Sequence, residues 1–479
     1  MRKSLFALAG ALALPACAAG PDFTPPPAPA TQSYAMEADD PTSAVIALGA
    51  PMDAGGWWRA FRSPTLDAVM RQALANNQTL AQADATLAAA RAEAAAASGA
   101  LAPEIDASAG AVRERINTST FGIAGLPSPT LTLYSIGPSV RFDLDPFGGR
   151  RRAAESAAAN AEAAQRRAEA AYLSLTGRVA AQAFRIASLR GQLAAIDALV
   201  ADDRRTLDIV QRAIQFGGQP AAAADTANAQ LAEDLALIPP LRQDLAEARH
   251  ALAALVGAAP VEWAAPNFDL ADFTVPTSIP AALPSALVRR RPDIMAAEAA
   301  LHAATADIGV AEAARYPNIA LNASLLQSAT DADALFRYQA SGWSVGPAIT
   351  APLFHGGALR ANQRAAEARA NAALAAYRQT VIAAFVQVAD VMSAVGHDSD
   401  LLAAQQRALD AAERNARSAD LGFENGAQTL LATIDARRQA HRARRGAIAA
   451  QGDLYTDISA LFVATAADWR DGLRGPTQP

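Results

Sequence analysis

The run GRRRAAESAAANAEAAQRRAEAAYLSLTGRVAAQAFRIASLRGQLAAIDALVADDRRTLDIVQRAIQF, Gly149 to Phe216, contains no proline and is dense in Ala, Arg, Glu, Gln and Leu, the strongest helix formers. As one helix it exceeds sixty residues and, at 1.5 Å per residue, is about 100 Å long. Ordinary globular helices run about 8–20 residues, so this length predicts a coiled coil or a helical tube. Its apolar positions, among them Leu173, Val179, Ala183, Ile186, Leu193, Ile196 and Leu199, fall mainly three, four or seven apart, as on the seam of a packed helix. Abundant alanine lets neighbouring helices approach closely. A second proline-free interval runs from Leu353 to Gly475, with GFENGAQ (Gly422 to Gln428) as its one obvious turn. Two long helical hairpins are expected, over about 149–256 and 357–463.

A different texture precedes each hairpin. Ile105, Ala107, Ala109 and Ala111 alternate with Glu104, Asp106, Ser108 and Gly110, and Leu131 to Leu144 reads as strand after a loop rich in Gly, Ser, Thr and Pro. Later, Ile319, Leu321, Ala323 and Leu325 alternate with Asn318, Ala320, Asn322 and Ser324, and Trp343 to Leu353 follows another polar loop. Period-two alternation over about ten residues, with one apolar and one small or polar face, is the signature of a transmembrane β-strand. The four strands are expected at about 104–116, 130–145, 317–327 and 341–353.

The two halves repeat each other. Shifted by 214 residues, NNQTLAQADATLAAARAEAAAASGALAP (Asn76 to Pro103) falls on RRPDIMAAEAALHAATADIGVAEAARYP (Arg290 to Pro317). GPSVRFDLDPFGGRRR (from Gly137) matches GPAITAPLFHGGALR (from Gly346), and the turn at Phe216-Gly217-Gly218 matches Phe423 to Gly426. Each half reads helix, strand, loop, strand, long helix, turn, helix. The expected divisions are a signal peptide over 1–16, an extended segment over 17–65, repeats over 66–262 and 283–465 joined by a linker over 263–282, and a tail over 466–479.

The N-terminus carries the single cysteine, in LPAC (Leu14 to Cys17), behind a positive n-region (Arg2, Lys3) and a short apolar core from Leu5 to Leu14. That layout is a secretory signal too short to span a bilayer about 30 Å thick. Leu14 to Cys17 resembles the lipobox of bacterial lipoproteins, which makes Cys17 the expected lipidated first residue of the mature chain. One cysteine and five scattered histidines leave no disulfide and no Cys/His metal framework. No other apolar run is expected to reach the length of a transmembrane helix. The net charge of −6 is spread along the chain rather than gathered in a basic stripe, so nucleic acid is not an expected partner.

Four strands cannot close a membrane barrel, because bacterial barrels begin at about eight and an open edge in hydrocarbon leaves backbone groups unpaired. Several copies must share one barrel, and the helices continuing from each strand would form a second tube away from the membrane. NNQTL, RRPDIMAAEAAL, DPFGGRRR, FHGGALR and TIDARRQ, with the lipobox and GPDF after it, resemble the outer-membrane factor (TolC-like) family, in its lipoprotein branch. The resemblance covers almost the whole mature chain. It implies a mixed α and β membrane protein: a homotrimer with a twelve-stranded outer-membrane barrel, four strands per chain, continuing into a periplasmic α-helical barrel. It further implies docking with a periplasmic adaptor and an inner-membrane pump of the resistance-nodulation-division class.

Motifs for chemistry find no support. GWSVG (Gly342 to Gly346) has the G-x-S-x-G spacing of serine hydrolases, but Ser344 is followed by more strand rather than by the helix a nucleophile elbow requires. There is no P-loop, dinucleotide fingerprint or paired metal ligand set, and no cofactor is expected. Asp143 and Asp145 read as solvated rim charges on one side of a strand end. Arg150, Arg151 and Arg152 open a helix, where positive charge is mildly unfavourable. They read either as membrane-interface residues snorkelling to lipid headgroups or as a solvated cluster.

Leu431 and Asp435, four apart just beyond the second turn, share one helical face. By the resemblance, their matching positions close the periplasmic mouth, as an apolar and an acidic ring in the trimer. Where some relatives carry a second acidic ring, Ala432 stands here. The tyrosine and arginine latch of the family is absent: Phe423 holds the aromatic position without a hydroxyl, after Gly422, and Asp225 near the first tip is the candidate partner there. The expected function is a passive exit duct for drugs or other small toxic compounds, with metal efflux, type I protein secretion or a structural envelope lipoprotein as alternatives.

Overall fold

A computed structural model describes residues 18–27, 47–49, 56–117, 129–276, 278–280 and 287–466. Cys17, the signal peptide and the tail beyond Ala466 lie outside the described residues. In chain order the elements are β1 (Ala47–Gly49), a 3-10 turn (Trp57–Phe61), α1 (Pro64–Asn76), α2 (Gln78–Gly99), β2 (Glu104–Arg115), β3 (Thr130–Asp143), α3 (Gly149–Gln215), α4 (Ala222–Leu235) and α5 (Ile238–Val256). There follow β4 (Ser278–Pro280), α6 (Pro292–Ala313), β5 (Asn318–Ala329), β6 (Ser341–Thr350), α7 (Ala358–Glu424) and α8 (Leu430–Ala464). The chain divides into two compact units, and α2, α3, α6 and α7 run from one into the other.

The first unit holds Thr86–Gln165, Ala296–Arg378 and the N-terminal residues to Pro26. Its sheet is antiparallel in the order β2-β3-β5-β6. Register sorts the faces. Ile105, Val140, Ala323 and Val345 are directly paired across all four strands, and the neighbouring rung is Asp106, Ser139, Ser324 and Ser344. Because side chains alternate with period two, one face of the sheet is an apolar wall around these rungs and the other a small, polar one, whereas beyond Ala111 the first face carries Arg113 and Arg115 and the second Val112, Leu131 and Leu133. Ile105, Trp343, Val345 and Ile349 are exposed on the apolar wall, while Ser324 and Ser344 hydroxyls bond at 2.9 Å on the other. Ser344 is thus a strand residue. The outer edges, β2 and β6, each have one partner among the described residues.

The second unit contains a core built on aromatics. Trp57 stacks on Phe462 (5.3 Å between centroids), and Phe61, Phe184, Phe273 and Tyr455 pack edge or face on one another beneath it. Trp57 Nε1 donates to Thr176 Oγ1 at 3.2 Å, and Tyr455 Oη donates to the Phe273 carbonyl at 2.9 Å, so the polar ends of these two buried rings are satisfied. The stretch expected to be extended up to residue 65 therefore ends as core. The expected linker over 263–282 also packs in, through Phe268 and Phe273, and β4 pairs in parallel with β1.

α3 forms without a break over 67 residues, and the apolar seam read from its spacing is buried at Leu173, Val179, Ala183, Ile186, Ile196 and Leu199. Glycines set its distance from α8: a Cβ at Gly177 would lie 2.6 Å from Val463 Cγ2, and one at Gly452 would lie 2.5 Å from Ser188 Cβ. The return arm differs from the single helix expected. It stops at Ala236-Leu237 and restarts as α5 with Pro239 and Pro240 in its first turn, since proline lacks the N–H an unbroken helix would need there.

The RRPDI motif acts as a brace. Arg291 forms two bonds to the Asp293 carboxylate (3.0 and 2.6 Å) and donates at 2.8 Å to the carbonyl of Ala464, the last residue of α8. In NNQTL, Asn77 caps α2 by accepting from Leu80 N–H at 3.0 Å while donating to Leu255 O at 2.8 Å. The expectation of no membrane-length apolar helix needs correction by composition: α6 and α7 each contain an eighteen-residue window apolar enough to cross a bilayer. Alanine supplies much of that apolarity, and Ala296, Ala299, Ala303 and Ala306 of α6 are buried.

Candidate functional site

The two hairpin tips close with the same cap. At the first, Gly217 is left-handed (φ 74°) and Gly218 N–H donates to Ala213 O at 2.8 Å; at the second, Gly426 is left-handed (φ 73°) and Ala427 N–H donates to Gly422 O at 2.7 Å. This six-to-one bond is the Schellman closure of a helix C-terminus. It equates Gly217 with Gly426, and so Phe216 with Asn425 rather than with Phe423. Gly422 has its own reason: a Cβ there would lie 2.5 Å from Gln428 Cγ, so glycine lets Gln428 fold back over the helix end.

Thr429 then caps α8, accepting from Ala432 N–H at 3.3 Å. Thr433 donates to Ala419 O at 3.2 Å, and Ala436 packs with Ala416 and Ala419, so these residues form the side of α8 that faces α7. Leu431, 67% exposed, and Asp435 stand away from that contact on a free face. Leu431 is therefore not packed in the contact between α7 and α8. Asp225 is exposed in the first turn of α4, and Phe423, without a hydroxyl, offers it no hydrogen bond.

Just past the two exposed residues, α8 carries a row of basic residues. Arg437 Nε donates to Asp420 Oδ1 on α7 at 2.8 Å, and Arg438 reaches Asp203 on α3 and Asp234 on α4. His441 Nε2 lies 2.8 Å from Asp202 Oδ2. Sequence reading did not single out Arg438. The signal available was an arginine at a heptad spacing from Leu431, on a helix seam where a charge must be paired.

The strand–helix junction of the first unit corrects two readings. Asp143 and Asp145 are not solvated rim charges. Asp143 is buried and pairs with Arg150, while Asp145 has left the strand in a left-handed conformation (φ 46°) and accepts the N–H groups of Arg150 and Arg151 at 3.2 and 3.0 Å. It thereby caps α3 and offsets the positive charge there. The arginines are not a free solvated cluster either. Arg150 also donates to Ala100 O at 2.6 Å, Arg151 pairs with Asp145, and Arg152 is 6% exposed between Asp22 (2.6 Å) and Glu155 (2.8 Å).

GPDF is seated at that junction. Ala19 N–H donates to Phe147 O at 2.8 Å, Arg152 Nε donates to Ala19 O at 3.2 Å, and Phe23 stacks on His302 (4.5 Å), whose Nε2 lies 2.9 Å from Glu155. Burial pushes the Glu155 carboxyl up, but hydrogen bonds from Arg152 and His302 outweigh it and hold the group below the usual carboxylate range. Glycine makes the seat possible: a Cβ at Gly309 would lie 2.5 Å from Ala19 O, and one at Gly148 2.8 Å from Ala18 Cα.

Residues 69–258 and 283–467 match the family model described as outer membrane efflux protein. The outer membrane protein OprJ of Pseudomonas aeruginosa is 31% identical over 487 aligned positions, covering 98% of both chains. The probable outer membrane lipoprotein SilC of Salmonella typhimurium is 28% identical and also covers 98% of both. Among solved structures, the outer-membrane channel OprN superposes with a TM-score of 0.84 at 28% identity, over 95% of this chain and 100% of that one.

Proposed function

This chain belongs to the outer membrane efflux protein family, and we propose that three copies of it assemble into a passive exit duct for drugs or other small toxic compounds. Three four-stranded sheets joined edge to edge make twelve strands, enough to close a barrel and pair the outer edges of β2 and β6. The observation that carries the reading is the segregation of that sheet into an apolar wall and a polar wall, on strands that lead directly into helices of 67 residues. The apolar wall faces lipid and the polar wall lines the route. The helices from the three copies continue as a periplasmic tube.

No group in the route converts its cargo. Energy comes from an inner-membrane pump of the resistance-nodulation-division class, reached through a periplasmic adaptor that docks near the hairpin tips. Leu431 and Asp435 form the mouth, three leucines narrowing it and three carboxylates favouring cations over anions. Cys17, lipidated after removal of residues 1–16, gives a second attachment to the same membrane. Arg150 and Arg151, at the foot of the strands, face the headgroup level with carboxylate partners already in place.

Purified protein in planar bilayers should show low, cation-favouring conductance that rises when Leu431→Ala and Asp435→Ala are combined. Unchanged conductance in the double variant would remove the mouth assignment. Cross-linked species that stop at a dimer would remove the trimer.

A further inference from the structure

The helix that carries Leu431 and Asp435 is fastened in two directions, and the fastenings differ in kind. Toward α7 the pairs are Arg437 with Asp420 and Arg444 with Glu413, all with a third or so of their surface in water or more on at least one side. Toward the first hairpin the contact is buried. Arg438 Nη1 donates to Asp203 Oδ1 at 3.2 Å and Nη2 to Asp234 Oδ2, with side chains 8%, 6% and 7% exposed. The other oxygen of Asp203, Oδ2, is buried without a hydrogen-bond partner.

We infer that Arg438 is the positioning residue that holds the start of α8 against both arms of the first hairpin, and that the carboxylate pair it bridges takes up a proton when this contact closes. The inference rests on reading Leu431 and Asp435 as the mouth, since Arg438 lies one heptad beyond Leu431 on the same helix.

The charge count supports it. One guanidinium faces two carboxylates, which leaves an uncompensated negative charge where burial makes it costly. The groups around Asp203 are Asp234 from α4, Arg438 and His441 from α8, and Asp202 on its own helix, the last already paired with His441. A cavity of about 300 Å³ beside Asp234 adds Glu233, Arg442 and Arg445 at its lining. Burial, the hydrogen bond that protonated Asp203 donates to Asp234 and the charges of Asp234 and Asp202 push the Asp203 carboxyl up to about 6, against the pull of Arg438.

The sign follows from linkage. A carboxyl that holds its proton more tightly when packed than when exposed favours the packed state at low pH. From about pH 6 down toward the ordinary carboxylate range the contact strengthens; above about 6 it carries the unrelieved charge. Separating α8 from the first hairpin exposes Asp203 and releases about one proton. At a factor of ten per pKa unit, the ratio of separated to packed forms changes by at most on the order of 100-fold across that window.

The full-length protein is tested in planar bilayers in an Asp435→Asn background, so that the mouth carboxylates do not titrate. Conductance should rise as pH is raised from 5 to 8. Asp203→Asn, which mimics the protonated group, should flatten that rise at the low-conductance end, whereas His441→Gln should retain it. Arg438→Ala should conduct more at every pH, and Arg438→Lys should recover part of the closure. Melting temperature supplies a readout independent of conductance: the gain at pH 5 over pH 8 should shrink in Asp203→Asn. A pH profile unchanged by Asp203→Asn, or Arg438→Ala conducting like its parent, overturns the inference. If Leu431→Ala leaves conductance alone while Arg438→Ala raises it, the mouth reading fails and the positioning role stands; the reverse result refutes the positioning role alone.

Discussion

Two adjacent residues on β6 provide a sharp test of which wall of the sheet meets lipid. Val345 belongs to the apolar rung with Ala323, and Ser344 to the polar rung with Ser324. The strand has ten residues, about 33 Å at 3.3 Å each, and a tilt near 45° projects that to about 23 Å, close to the apolar band of an outer-membrane barrel. Val345 is the fifth of the ten and falls near the midplane, where an arginine facing lipid costs about 2–4 kcal/mol. At 1.4 kcal/mol per factor of ten, Val345→Arg should lower the folding equilibrium constant by about 30- to 700-fold. Ser344→Arg puts the same side chain on the polar wall and loses one exposed hydroxyl bond, a cost of about 1 kcal/mol or less. The denaturant midpoint for refolding into lipid vesicles, and the heat-modifiable fraction recovered in outer membranes, report the difference. Equal damage from the two substitutions, or none from either, would refute the assignment of faces.

The other expectations concern packing and charge. Gly177→Val places a side chain 2.6 Å from Val463 and should cost about 1–3 kcal/mol by overpacking, seen as a lower midpoint for loss of helical circular dichroism. Trp57→Ala should cost about 3–5 kcal/mol in the same assay, because a fully buried ring stacked on Phe462 is replaced by a cavity. Asp457 is raised to about 6 by burial, a hydrogen bond with Asp398 and the charges of Asp398 and Asp453, so its repulsion weighs on the fold above about pH 6 and is relieved as pH falls toward the ordinary carboxylate range. Asp457→Asn should therefore raise the melting temperature at pH 8 more than at pH 5. Gly309→Val should evict the Ala18–Phe23 segment from its seat, detected as faster proteolysis there with β5 and β6 still protected.

Much of the candidate site was legible from local rules. The turn at Gly426 and the shared face of Leu431 and Asp435 both follow from residue type and helical spacing. The ion contacts did not follow. Arg437 and Arg438 are neighbours in one helix, yet one reaches α7 and the other reaches α3 and α4, and their partners Asp420, Asp203 and Asp234 are distant in the chain. Asp143 and Asp145 looked alike by alternation, but the strand ends at the first, and the left-handed turn gives the second to the helix that follows.

Sequence alone determined the periodic parts: unbroken helices where proline is absent and apolar residues recur every three or four, strands where they alternate, and the duplication that sets both twice in the same order. These are properties of short windows, written in every residue of the run. Tertiary structure decided what depends on separation in the chain being overcome. It brought Trp57 and Phe462 into one core, turned a supposed linker into packed structure around Phe273, and chose which carboxylate answers each arginine. Such choices come from close packing and the cost of an unpaired buried charge, and both require knowing which surfaces meet.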